Sequence, residues 1–225
     1  MKPIKLILFL LGLSLSFIAC KKEKIAKDEP KAALDIKQYF ISGTYLRTIG
    51  TKNFEHPYLV TLEENGVARI FDWGAVNYGT ASYTFQNGAL TINYGGASNW
   101  VFTIADEQIS KAEGLQSYYL SSNLYKVPSN NQFTGNWYSG MMMSRENSSA
   151  MFFSYKFTAT QYQETVHIAN SSHSYTPIKN VMIIEKENGI ARYFLALNGK
   201  LMVSRYNFDV DPPANFFYAA LNKDE

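Results

Sequence analysis

The chain has 225 residues, of which 46% are hydrophobic, 15% aromatic and 18% charged. That length supports one or two domains with a sizeable core, and low charge with high aromatic content excludes a disordered chain. A single cysteine excludes an intramolecular disulfide framework, and residues 38–225 carry 13 basic and 15 acidic side chains, a net of −2 that excludes a basic nucleic-acid-binding domain.

Residues 1–20 read MKPIKLILFLLGLSLSFIAC. Lys2 and Lys5 form a positive n-region, and Leu6 to Ile18 is an apolar run interrupted only by Gly12, Ser14 and Ser16. The run is too short for a comfortable membrane span and predicts a secretory signal over 1–19, with an uncleaved anchor helix as the competing reading. Phe17-Ile18-Ala19-Cys20 resembles the lipobox of bacterial lipoproteins, with a small residue at −1 and Phe17 where Leu is usual. The resemblance implies cleavage before Cys20 and a lipid-anchored N-terminus, with a diacylglyceryl group on the thiol and acyl chains of the palmitate kind. Several such chains, at about 0.8 kcal/mol per buried CH₂, hold a protein firmly on a membrane. Lys21 stands where Asp retains such lipoproteins in the inner membrane. The resemblance therefore implies the outer membrane of a Gram-negative bacterium, with the rest of the chain facing the periplasm or the outside.

Residues 20–37 are charged, contain Pro30 and lack aromatics, which predicts a solvated tether with room for a helical turn at 32–38. From Tyr39 onward the chain is rich in Tyr, Phe, Thr, Val and Ile. Asn-Gly pairs at 65–66, 87–88, 188–189 and 198–199 each sit between apolar or alternating runs. Asn-Gly favours the two positive φ angles of a type I′ turn, and no run sustains a 3.6-residue period. The pattern predicts an all-β chain of antiparallel hairpins.

Two places match at an offset of 92 residues. Gly43-Thr44-Tyr45 pairs with Gly135-Asn136-Trp137, and the stretch 83–92 pairs with 175–184; Asp106-Glu107 falls opposite Asn198-Gly199. This predicts two copies of one β unit, 38–127 and 131–225, joined near Pro128-Ser129-Asn130. Gly-x-aromatic followed by a meander resembles the lipocalin-like domains of bacterial lipoproteins. The resemblance implies two tandem small antiparallel meander barrels and a small hydrophobic ligand, with Tyr45 and Trp137 as structural aromatics across the barrel floors. One larger barrel or a β-sandwich is the alternative.

Catalytic motifs are absent: no Gly-x-Ser-x-Gly, no His-Glu-x-x-His and no phosphate-binding loop. No cofactor is expected. His56, His167 and His173 match no metal-ligand spacing, and His167 in a strand with His173 in an Asn-Ser-Ser loop need not converge even with Glu164 near them; no metal site is predicted. Glu63-Glu64 and Asp209 with Asp211 read as solvated turn acids. The unusual supply is aromatic. Trp73, Trp100, Tyr83 and Tyr175 are the candidate ligand-binding residues, weighed against simple core filling. Met141-Met142-Met143 reads as a buried strand segment, with an adaptable contact surface as the alternative. The function these readings point to is non-catalytic binding or scaffolding at the outer membrane, through a small hydrophobic ligand or, alternatively, an envelope protein or glycan met by the face of filled barrels. A hydrolase has the least support.

Overall fold

In a computed structural model of the chain, the described residues are 34–49, 52–72, 79–93, 99–144, 149–209 and 214–224. The predicted signal segment, Cys20 and Trp73 lie outside them. Two eight-stranded antiparallel sheets account for most of the described chain. The first holds β1 (Tyr39–Ile49), β2 (Lys52–Leu62), β3 (Val67–Phe71), β4 (Gly79–Gln86), β5 (Ala89–Asn93), β6 (Asn99–Ala105), β7 (Gln108–Glu113) and β8 (Asn123–Lys126). The second holds β9 (Trp137–Ser144), β10 (Ala150–Phe157), β11 (Gln161–Val166), β12 (Ala169–Ser174), β13 (Met182–Glu187), β14 (Ile190–Leu197), β15 (Lys200–Asn207) and β16 (Ala214–Lys223). In both, consecutive strands pair and the last strand returns to pair with the first, a meander curling into a barrel. The sheets leave different seams: β7 and β8 are the edges of the first, β12 and β13 the edges of the second.

Local chemistry sets the hairpins. All four Asn-Gly pairs adopt positive φ at both residues, for example 50° and 77° at Asn87-Gly88. Ninety-two residues later Lys179 and Asn180 repeat that geometry at 50° and 62°, and Asp106-Glu107 matches Asn198-Gly199 in the same way. The sequence offset therefore survives as matching turns. It fails at the opening motif, where Gly43 lies inside β1 and Gly135 occupies a left-handed turn before β9, at φ 76°. Gly43 is required by a close approach: a Cβ there would stand 1.9 Å from the Ser121 carbonyl oxygen. That approach accompanies the hydrogen bonds from Leu46 N to Tyr118 O and from Leu120 N to Thr44 O, which draw the segment before β8 against β1.

Directly paired residues share a sheet face, so the register identifies the interiors. In the first barrel Ile41, Val60 and Ile70 align across β1–β3, and Ile92 pairs with Trp100 and Leu90 with Phe102 across β5–β6. Trp100, Tyr58 and Phe102 are fully buried, and Tyr119 packs on both Tyr58 and Trp100 with ring centroids 5.0 and 4.7 Å apart. In the second barrel Tyr155, Phe157, Tyr162 and Phe194 form a chain of edge and tilted ring contacts. Aromatic side chains thus pack across both interiors, each burying a large apolar area at defined ring angles.

The barrels meet through outer faces. Phe40, Leu59 and Phe71 belong to one continuous buried cluster with Tyr193, Leu195, Tyr206 and Phe216. His56 on β2 lies 3.0 Å from the Ser204 hydroxyl on β15, with its ring edge-on to Phe216. Residues 34–225 accordingly form one compact unit. Within the helical turn predicted at 32–38, Asp35 caps a 3-10 turn over Ile36–Gln38, and Ile36 is buried in the core.

Candidate functional site

Among the described residues, a cleft and a buried polar network are the candidate sites. The first is a cleft of about 370 Å³ where the barrels meet. Tyr125, Met202, Leu197 and Ala220 give it an apolar lining, and Thr44, Asn123 and Asn198 supply polar groups. Both sheets contribute, so the cleft exists only because the two outer faces pack. Junctions between barrels or domains are a preferred place for small-molecule sites.

The second place lies inside the second barrel. Glu164 on β11, Arg192 on β14 and Arg205 on β15 occupy inward positions of their strands. The Glu164 carboxylate accepts four hydrogen bonds: from Arg192 Nη2 at 2.7 Å, Arg192 Nε at 3.1 Å, Arg205 Nε at 3.2 Å and the Tyr155 hydroxyl at 3.3 Å. Burial pushes this carboxyl up, but the hydrogen bonds and charge of Arg192, with the charges of Arg205 and His173, outweigh burial and hold it below the ordinary range. Burial, then the Glu164 charge, pushes the Tyr155 phenol well up, so it stays a neutral donor.

The network continues to the open seam. Glu185 on β13 accepts from Arg192 Nη1 at 3.4 Å and from the Tyr162 hydroxyl. Its other oxygen lies 2.7 Å from His173 Nδ1 on β12, and Glu187 Oε2 lies 3.0 Å from the same nitrogen. The second ring nitrogen, Nε2, stands 2.7 Å from the Ser171 hydroxyl, and the ring stacks on Tyr162. The hydrogen bond to His173 lowers the Glu187 carboxyl. Side chains thus join two strands that the backbone ladder leaves apart.

Comparison with protein-family models, with curated proteins and with solved structures found no match for this chain. The geometry is therefore what carries a reading of the site.

Of the four aromatics predicted to bind a ligand, Trp73 lies outside the described residues, and the other three are divided between the two barrels. Trp100 is wholly buried inside the first barrel. Tyr83 lies on the same inner face, half-buried, and donates to the Glu63 carbonyl. Tyr175 belongs to the second barrel's core, where its hydroxyl donates to the Thr158 carbonyl and accepts from Asn131 Nδ2. All three are packing residues, and the hydroxyls of Tyr83 and Tyr175 are already hydrogen-bonded. Trp137, expected across a barrel floor, instead faces outward and is 47% exposed, with its indole N–H donating to the Ser154 hydroxyl. Tyr45 lies on β1 opposite His56, and its side chain lies outside the described residues.

Three further expectations are corrected. His167 sits in the β11–β12 turn at φ 55°, and His173 is a buried strand residue, the reverse of their sequence assignment. Strand alternation splits the methionine run: Met142 points into the barrel, while Met141 and Met143 are exposed. Glu164 meets two arginines that sequence reasoning left unmentioned. The available signal was phase, since Tyr162-x-Glu164, Arg192-x-Phe194 and Val203-x-Arg205 place charges on the same alternation as large apolar residues.

Proposed function

We propose that this chain is an exported lipoprotein, anchored in the outer membrane through acyl chains on Cys20, that works by binding rather than catalysis. The cleft between the barrels is its ligand site, suited to a small amphipathic molecule. The observation that carries the reading is the cleft's construction, with an apolar lining drawn from both sheets and polar groups at its margin. It moves the hydrophobic-ligand site away from the barrel interiors, where Trp100, Tyr58, Phe102, Phe153 and Phe194 are buried as packing residues. A non-catalytic role is supported by Glu164, Arg192 and Arg205 inside the second barrel, whose charged groups are bonded to one another.

The anchor is tested by feeding cells labelled palmitate: the wild-type chain takes up label and Cys20→Ser does not. Labelling of Cys20→Ser overturns the anchor. The ligand site is tested by extracting small molecules from the purified full chain and identifying them by mass spectrometry. Met202→Trp, which fills the cleft, loses a molecule that wild type retains; retention by the variant overturns the assignment.

A second reading has its own support. Trp137, Met141, Met143 and Phe152 stand exposed on the outer face of neighbouring strands β9 and β10. Such a patch suits an envelope protein partner. Site-specific crosslinking from position 141 in intact cells tests it, and absence of any discrete crosslinked product sinks it.

A further inference from the structure

We propose that His173, Glu185 and Glu187 form a binding site for one divalent first-row metal ion that clips the open seam of the second barrel. One ligand atom from each of the three residues lies within 4.8 Å of the other two. Glu185 and Glu187 are two apart on β13 and so share a face, and His173 approaches them from β12. The seam between these strands is where the sheet order has its two edges. A metal there supplies the cross-strand bonds that the backbone ladder does not.

The surroundings have the character of an outer coordination shell. Metal-bound imidazoles usually engage their second nitrogen with a fixed partner, which sets tautomer and ring orientation. Here Nε2 of His173 meets the Ser171 hydroxyl at 2.7 Å, leaving Nδ1 for the ion. Glu185 is held likewise, by Arg192 and Tyr162 on the oxygen that faces away from His173. His173 and Glu185 are mostly buried while the Glu187 side chain is 52% exposed, so the ligand set runs from the barrel interior to solvent and has an entry path. One imidazole with two carboxylates is a donor set for Zn²⁺, Co²⁺ or Mn²⁺ rather than for Cu⁺, which selects sulfur. The alternative occupant is a proton: a charged His173 bridging the two carboxylates makes the same contacts.

The test uses the full chain in detergent, stripped with chelator and then titrated with Zn²⁺ by calorimetry and with Co²⁺ by visible absorption. Wild type is expected to take up one equivalent of Zn²⁺, to develop a Co²⁺ ligand-field band, and to melt at higher temperature with excess metal, since binding to the folded state alone stabilises it. Glu187→Gln changes a half-exposed ligand and leaves the metal-free melting temperature near wild type. It is expected to weaken Zn²⁺ at least tenfold and to alter the Co²⁺ band. His173→Ala abolishes both; should that variant fail to fold, Glu187→Gln carries the test alone. Absence of stoichiometric uptake by wild type, or affinity and Co²⁺ spectrum unchanged in Glu187→Gln, overturns the site in favour of the protonated histidine or of ions held elsewhere. Neither result bears on the inter-barrel cleft or on Cys20, so this site and the binding function stand or fall separately.

Discussion

In the first barrel the inward positions of β5 and β6 are Leu90, Ile92, Trp100, Phe102 and Ile104, all buried and all apolar or aromatic. In the second, the inward positions of β11, β14 and β15 include Glu164, Arg192 and Arg205, set among Tyr155, Tyr162 and Phe194. The strand plan is the same, and so are several turn conformations. The first interior is sealed at these positions by non-directional apolar burial, with no charged side chain among them. The second depends on a charge network whose members must all be present. A buried charge with its partners is roughly neutral against an apolar core, whereas one without them is strongly destabilising. The difference teaches that a single meander can be filled in two ways, and that the two ways fail differently.

The largest expected effect comes from breaking the network on one side. Glu164→Gln removes the carboxylate that Arg192 and Arg205 share, leaving Arg192 its 3.4 Å contact with Glu185, and is expected to lower unfolding stability by about 3–5 kcal/mol. Replacing these three charges with apolar residues of similar size (Glu164→Leu, Arg192→Met, Arg205→Met) makes the centre of the second interior like that of the first, while Glu185 keeps its contacts with Tyr162 and His173. That triple variant is expected to match or exceed wild type, as read from urea midpoints on the full chain. If the triple variant is as weak as the single one, the comparison drawn above is wrong.

Acid sharpens the same contrast. The folded Glu164 carboxyl lies below its ordinary value of 4.5, so it contributes stability that is present above that value and is lost as pH falls through the folded value. Arg192, Arg205, His173 and Tyr155 face it. Urea midpoints of wild type are expected to drop below about pH 4.5, and the triple variant, which lacks Glu164, to show a flatter acid limb.

The tryptophans divide along the same line. Trp100→Ala removes a fully buried ring and should cost about 3–5 kcal/mol. Trp137→Ala, at an exposed outer position, should stay within about 0.5 kcal/mol. Equal losses by thermal or urea unfolding would contradict the placement of Trp137. Smaller still than the Trp100 loss is the effect of Gly43→Ala, which sets a methyl group against the Ser121 carbonyl and should cost about 1–3 kcal/mol through overpacking. Faster amide exchange near Leu120 should accompany it, because that N–H bonds to Thr44 in the same seam. Last comes Ser204→Ala, which removes the hydroxyl beside His56 and should cost about 1 kcal/mol, the worth of one buried hydrogen bond.

Much of the fold was legible in the residues. Asn-Gly pairs and alternation located the hairpins at 65–66, 87–88, 188–189 and 198–199, because a two-residue turn is decided by the φ preferences of its own residues. The 92-residue offset was legible for the same reason, down to Lys179-Asn180 adopting the turn of Asn87-Gly88. The candidate sites were much less so. Histidine placement was inverted, since polar Asn170, Ser171 and Ser172 read as loop while they form an edge strand of the second sheet. Trp137 was misplaced because its Gly-x-aromatic motif resembles that of Tyr45 in letters while the two glycines differ in conformation.

By itself the sequence determined what depends on near neighbours along the chain: strand periodicity, turn types, the duplication of a β unit, and a cysteine motif that resembles a lipidation signal. Only the tertiary structure decided which face of each strand is inner, how the outer faces of two barrels pack into a cleft, and where each meander leaves its seam. Those properties rest on contacts between residues far apart in sequence, such as Glu164 with Arg192 and His56 with Ser204. Alternation says only that a strand has two faces, and a partner strand must be present before either one becomes an interior.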